Sequence, residues 1–247
     1  MSSSISVPFT STSPRCETKG ERRLAGSVVS HTTVAERDAM YALFSTYFLG
    51  TDRGVFEQDL SEKDGVILLR DEPSGGIQGF STFMWLRVDN TVAFFSGDTI
   101  IDREFWGDSV LSRMWAQIAF AEAGRHPEAK MYWFLICSGY KTWRFLPVFF
   151  RQFYPNPETE TPAHIQNVID TLGRRKFGDQ YADGIVRLRH ATPLRRGVAE
   201  ITEERLRDPQ IAFFARMNPG HANGDELACL TEISRANLTR AGERMLR

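Results

Sequence analysis

Thr91-Val-Ala-Phe-Phe-Ser-Gly-Asp-Thr-Ile-Ile-Asp-Arg-Glu-Phe-Trp-Gly-Asp-Ser109 runs from an apolar strand through a short turn to the threshold of a helix. The helix beyond it, from Asp108 to about Ala123, puts Val110, Leu111, Met114, Trp115 and Ile118 on one stripe, the spacing of a face packed on a core. His126-Pro127 breaks it. Met131-Tyr-Trp-Phe-Leu-Ile-Cys137 then reads as a second buried strand, with Ser138-Gly-Tyr140 at its exit. A strand reached through a helical crossover lies parallel to the one before it. A strand that feeds a helix N-terminus beside such a partner is a common place to bind a phosphate-bearing ligand.

Upstream, Gly65–Arg70 and Ile77–Val88 are strand-like and are separated by the turn-rich Asp71-Glu-Pro-Ser-Gly-Gly76. With Thr91–Ile101 they predict an antiparallel three-strand meander. Thr33-Val-Ala-Glu36 has capping-box spacing, and Met40, Leu43, Phe44, Tyr47 and Phe48 give the adjoining helix an apolar face. Leu24–Ser30 is a candidate first strand, and the polar stretch 51–63 shows no clear period.

Downstream, Lys141–Tyr154 reads as helix-like and Pro162–Lys176 as a helix. Gly184–Arg189 and Ile211–Met217 read as strands, and Ala228–Leu246 as a terminal helix. The expected organisation is a disordered tail over 1–22, a core over 23–157, and a C-terminal extension over 158–247 packed on that core. The aromatic density of 132–154 leaves room for a wide apolar pocket.

Composition narrows the function classes. The 247 residues are 42% hydrophobic and 25% charged with a net charge of −1, an ordinary balance that supplies no field for nucleic acid or anionic membrane. No apolar run is long enough for a membrane span. Cys16, Cys137 and Cys229 are widely spaced, and the five histidines form no ligand pair, so neither a disulfide framework nor a metal site is expected. A reduced, cytoplasmic compartment fits.

The order strand, helix, meander, helix, strand, helix resembles the GNAT superfamily of acyl-coenzyme A-dependent N-acyltransferases. Gly75-Gly-Ile-Gln-Gly-Phe-Ser81 is similar to its turn-and-strand opening. The resemblance spans about 24–154. It implies an α+β fold with a mixed, mostly antiparallel central sheet flanked by helices, here carrying a C-terminal α/β extension. It also implies that the two parallel strands part in a V beyond Gly97 and Ser138.

By the same resemblance, Ile100, Ile101, Arg103, Trp106, Gly107, Asp108 and Ser109 would line the acyl-donor strand and its phosphate loop. That loop differs from the superfamily's Arg/Gln-x-x-Gly-x-Gly/Ala: it has one glycine, a bulky Trp106 and an acidic Asp108. Relatives that accept acyl groups from acyl carrier protein have less glycine-rich loops, so acyl-CoA and acyl carrier protein thioesters are both candidate donors. A bulge at Ser96-Gly97-Asp98 would leave Asp98 as general base or ammonium-binding carboxylate. Ser138 would orient substrate. Phe149 stands where the superfamily often has a Tyr, which leaves Tyr140 as the candidate acid.

The implied reaction is direct acyl transfer to a small-molecule amine or amino acid, without a metal. A GNAT-shaped module that only binds, or docks a carrier protein, is the alternative.

Overall fold

The computed structural model describes residues 23–247; the expected tail over 1–22 and Cys16 lie outside the described residues. In chain order the elements are β1 (Leu24–Val29), α1 (Val34–Tyr47), α2 (Arg53–Ser61), β2 (Gly65–Asp71), β3 (Ile77–Val88), β4 (Thr91–Ile101), α3 (Val110–Arg125) and β5 (Lys130–Cys137). Then come α4 (Tyr140–Trp143), α5 (Phe145–Phe149), α6 (Ala163–Phe177), β6 (Tyr181–Ala182), β7 (Ile185–Val186), α7 (Pro209–Met217), β8 (Glu226–Glu232) and α8 (Arg240–Met245).

The start of α1 has the reciprocal cap its sequence predicted. Glu36 N–H donates to Thr33 Oγ1 at 3.2 Å, and Thr33 N–H donates to Glu36 Oε2 at 2.7 Å. The polar stretch after it is helical rather than irregular. Asp52 caps it by accepting from Val55 N–H at 2.9 Å, and its single buried residue, Phe56, packs between Phe44 and Phe80.

All eight strands join one mixed sheet in the order β1-β2-β3-β4-β5-β8-β7-β6. Every pairing is antiparallel except β4 with β5. Alternation along the strands splits the core between the two faces. Val92 and Phe94 face a cluster completed by α3, α4, α5 and α7. Ala93 and Phe95 face α6, while Phe80 and Ile100 face α1 and α2 on that same side.

Two features of β4 give the sheet its opening. Its parallel pairing with β5 ends at Ser96 beside Leu135, although β4 continues to Ile101 with β3 and β5 continues to Cys137 with β8. The strands therefore part in the expected V. At the same place Phe83 pairs with Ser96 and Ser81 with Thr99, so Gly97 and Asp98 both stand opposite Thr82. This is a bulge where the sequence suggested one.

Beyond residue 157 three expectations change. Ile211–Met217 is not a strand but most of α7: Pro209 opens a helix at its first position and Asp208 accepts from Gln210 N–H at 2.8 Å. Ala228–Leu246 is not one helix, because Leu227–Leu230 are buried in β8 between β5 and β7 and only 240–245 are helical. The helix-like stretch 141–154 is two short helices, α4 and α5. The C-terminal residues also supply β6, β7 and β8 to the main sheet.

The aromatic segment is close-packed. Trp133 meets Trp115, Phe94 and Phe150 edge to face at centroid distances of 5.0, 6.2 and 5.8 Å. The cavity these rings enclose is about 10 Å³, the size of a single water at most. The interlocked rings rule out the wide apolar pocket expected here.

Segment 187–205 is irregular and crosses the end of the sheet from β7 to α1. Leu49 N–H donates to Pro193 O and Arg195 N–H to Tyr47 O, both at 2.8 Å. Leu194 and Ala199 lie so near Gly139 that a Cβ there would sit 2.9 and 3.0 Å from them. The strap thus passes over the side on which β4 and β5 diverge.

Candidate functional site

The bulge puts Asp98 in the gap between the apolar cluster under α1 and α2 and the one under α6. Gly97 is needed there: a Cβ would lie 2.5 Å from Thr82 Oγ1 and 3.0 Å from Lys63 Cε. The Lys63 side chain is only 1% exposed, and its ammonium donates to Asp59 at 2.6 Å. Lys176, from α6, pairs with Glu62 at 2.6 Å and approaches Asp59 at 3.5 Å. Burial lowers the pKa of Lys63, with Asp59 opposing.

Two carboxyls answer these cations. Burial, aggravated by Asp59 and relieved by Lys63 and Lys176, pushes Asp98 up to about 7. Glu226, the first residue of β8, is 9% exposed and shares the sheet face of Ala228 and Leu230. Its Oε1 accepts a hydrogen bond from Ser138 Oγ, while Oε2 is buried without a partner. Burial also raises Glu226 to about 7; the Ser138 bond opposes this and the charge of Asp98 adds to it. Cys137, next to Ser138, is a buried thiol 3.9 Å from Cys229 Sγ, and burial raises its pKa well above the usual value.

The second group of predicted residues lies along the loop into α3. Arg103–Phe105 form a 3-10 turn, tied to α1 where Arg103 N–H donates to Tyr47 Oη at 2.6 Å and Tyr47 donates to Asp102 Oδ2 at 3.1 Å. Gly107 has φ 98°, which glycine alone adopts without strain. Asp108 Oδ1 accepts from Val110 N–H at 2.6 Å, so a carboxylate of the chain itself occupies part of the α3 N-terminus. Ser109 precedes Val110 and makes no side-chain cap.

Around Trp106 lies a set of cations. The half-exposed indole donates to Ile101 O at 2.9 Å. Lys141 Nζ is 3.3 Å from its ring centroid and Arg103 Cζ 5.3 Å. Arg205, from the end of the strap, lies over the Tyr140 ring at 5.8 Å. Burial and the charges of Arg205 and Arg103 lower Lys141 to about 8. Among the described residues no carboxylate pairs with Arg103, Lys141 or Arg205.

The structure thus brings Asp98 and Ser138 together through Glu226, and joins Arg103, Trp106 and Tyr140 through Lys141 and Arg205. The Tyr140 ring is buried in the α3-side core, and among the described residues its hydroxyl makes no hydrogen bond. Ile100 lies apart, packed with Phe80 under α1, and Ile101 is half-buried on the other face. Sequence reasoning missed Lys63, Lys176, Glu226, Lys141 and Arg205. Only Lys141, beside Tyr140, had any local signal.

The element order, the parting of β4 from β5 and the bulge give the chain a GNAT-like fold in a divergent form. No family model and no curated protein matches the sequence. Among solved structures, a GNAT family N-acetyltransferase from Escherichia coli in complex with CoA is 15% identical over 52% of this chain and 71% of its own, with a TM-score of 0.36. Glucosamine-6-phosphate N-acetyltransferase from Arabidopsis thaliana is 14% identical over 49% of this chain and 88% of its own, at 0.36. N-acetylglutamate synthase from Neisseria gonorrhoeae, complexed with coenzyme A and N-acetyl-glutamate, is 15% identical over 61% of this chain and 33% of its own, at 0.36. No helix among the described residues is long and apolar enough to cross a membrane.

Proposed function

We propose that the chain is an N-acyltransferase that moves an acyl group from a thioester donor, acyl-CoA or acyl carrier protein, directly to an amine. The observation that carries the reading is the bulge, which sets Asp98 beside the parting of β4 and β5 with a carboxyl that titrates near neutrality.

The donor's anionic end fits the chain in a modified way. Arg103, Lys141 and Arg205 form a cationic group with no carboxylate pair among the described residues, beside the exposed face of Trp106. These side chains would take the phosphates, since Asp108 already accepts at the α3 N-terminus. A donor bound there would supply a thioester carbonyl to the V. Asp98 takes the proton of the incoming ammonium, and the freed amine nitrogen attacks the carbonyl carbon. The C–S bond breaks as the amide forms, and the Tyr140 hydroxyl donates a proton to the departing sulfur. Ser138 holds Glu226 in place beside this path.

Asp98→Asn should lower kcat about 10²- to 10⁴-fold, the usual range for a lost general base, with donor affinity kept. Steady-state kinetics with acyl-CoA and acyl carrier protein donors over a panel of amines would read this, and unchanged turnover would remove Asp98 from the mechanism. The alternative, a module that binds without catalysis, is favoured by Asp108 at the α3 N-terminus and by Phe149 in place of a Tyr. Donor binding without turnover on any amine would select it.

A further inference from the structure

We propose that Glu226 and Asp98 together bind the acceptor as an ammonium ion, and that the acceptor is a cationic amine with no carboxylate beside its nitrogen. The proposal rests on the acyl-transfer reading of Asp98 and names the substrate class of that site.

Sheet register places the two side chains on the flanks of one strand end. β4 leaves β5 after Ser96, two residues before Asp98, and Leu227 of β8 pairs with Cys137 at the last position of β5. Asp98 therefore lies on one side of the β5 exit and Glu226 on the other, both toward α2 and α6. Ser138, the first residue past the exit, donates to Glu226 Oε1.

Three polar groups there lack a partner within the chain. Glu226 Oε2 and Thr82 Oγ1 are buried and unsatisfied. Among the described residues the Asp98 carboxylate accepts no hydrogen bond and joins no ion pair. Buried polar groups are normally satisfied, and an unsatisfied one costs about 1–3 kcal/mol, so a set of them facing one gap marks a place where a donor binds. An ammonium group offers three N–H donors and a positive charge.

The surrounding charges decide what else the ligand carries. Asp59 and Glu62 on the α2 side, Lys63 after α2 and Lys176 on α6 all face the same gap. Both lysines already hold carboxylates at 2.6 Å, so neither is open to a carboxylate of the ligand. The four balance one another, and what remains for the ligand is the charge of Asp98 and Glu226. Two close carboxyls titrate as a unit and share a proton near neutrality, as the upward shifts of both imply. An arriving ammonium replaces that proton. Asp98 then accepts a proton from the ammonium, leaving the neutral amine to attack the thioester.

The test is isothermal titration of the full chain, without any acyl donor, at pH 7 in two buffers of different ionisation enthalpy. Propylamine and putrescine are the cationic probes, and glycine is the zwitterionic one. Propylamine should bind at least about tenfold more tightly than glycine and release up to about one proton. Glu226→Gln, which keeps the Ser138 contact, should weaken propylamine at least about tenfold and abolish the proton release. Glu226→Asp, which restores the charge, should regain the release.

Unchanged propylamine affinity and proton release in Glu226→Gln would overturn the proposal, as would glycine binding as tightly as propylamine. Displacement of propylamine by equimolar Mg²⁺ would also overturn it in favour of a metal ion. Since no donor is present, the outcomes separate cleanly. Intact amine binding in a wild type that never transfers an acyl group sinks the enzyme reading alone. Full turnover by Glu226→Gln sinks the ammonium site alone.

Discussion

Asp108 sets the character of the donor loop by a single hydrogen bond. Its carboxylate accepts from Val110 N–H at the start of α3, where a phosphate would otherwise be favoured by both the free N–H groups and the helix dipole. Asp108→Asn keeps a capping oxygen but removes the charge. Coenzyme A should then bind about two- to fivefold more tightly, the equivalent of about 0.5–1 kcal/mol of dipole and charge effects. Calorimetric titration would show it, and unchanged affinity would mean that the phosphates stay away from α3. Residues of this kind were legible because they stand in one contiguous stretch. Asp98, Arg103, Trp106 and Asp108 all fall within ten residues of the Ile100–Ile101 strand end. Lys63, Lys176 and Glu226 come from separate parts of the chain and meet only through the tertiary fold, and nothing in their local sequence marks them. Lys63 even sits at the end of a polar stretch, the ordinary setting of a solvated lysine, yet it is buried.

Among the elements, periodicity identified those that carry their own signal. The capped α1, the meander and the stripe of α3 formed as expected. Ile211–Met217 misled because a short apolar run suits a strand or a helix equally, and only Asp208-Pro209 before it marks a helix start. Ala228–Leu246 misled because β8 is buried on both faces, so its Leu-Ala-Cys-Leu run shows no alternation. The packing of α6 sets helix propensity against shape. Gly173 lies against the ring of Tyr181, and a Cβ there would sit 2.5 Å from Cδ2. Tyr181 is itself held by donating to Asp170 at 2.7 Å. Gly173→Ala gains up to about 1 kcal/mol of helix propensity. It should nevertheless destabilise the fold by about 1–3 kcal/mol through overpacking, seen as a lower denaturation midpoint. A higher midpoint would mean that Tyr181 moves aside freely.

The whole molecule registers the buried carboxyls through its pH dependence. Asp98 and Glu226 titrate near 7 when folded, against 3.8 and 4.5 for ordinary Asp and Glu. Between those values the folded chain holds protons that the unfolded chain has released. Their contribution to stability therefore falls as pH rises from about 4 to 7, and the full penalty is present above 7. Glu36 and Glu122, whose pKa values are lowered, act in the opposite sense and lose their stabilisation as pH falls below the usual carboxylate range. Glu226→Gln removes one of the raised groups. At pH 8 it should be more stable than wild type by about 2 kcal/mol, with the gap closing toward pH 4. Denaturant melts across that range measure it, and a gap independent of pH would mean that Glu226 titrates normally.

β8 occupies an inner position in the sheet, between β5 and β7, although residues 226–232 come after every strand they join. On a ribosome, the β5 edge therefore waits, unpaired and rich in Leu, Ile and aromatic side chains, while about ninety further residues are added. An open apolar edge of this kind is a template for pairing with a neighbouring chain. The nascent protein thus passes through a long interval in which chaperone capture competes with aggregation. Its yield in a cell depends on how quickly one late strand arrives.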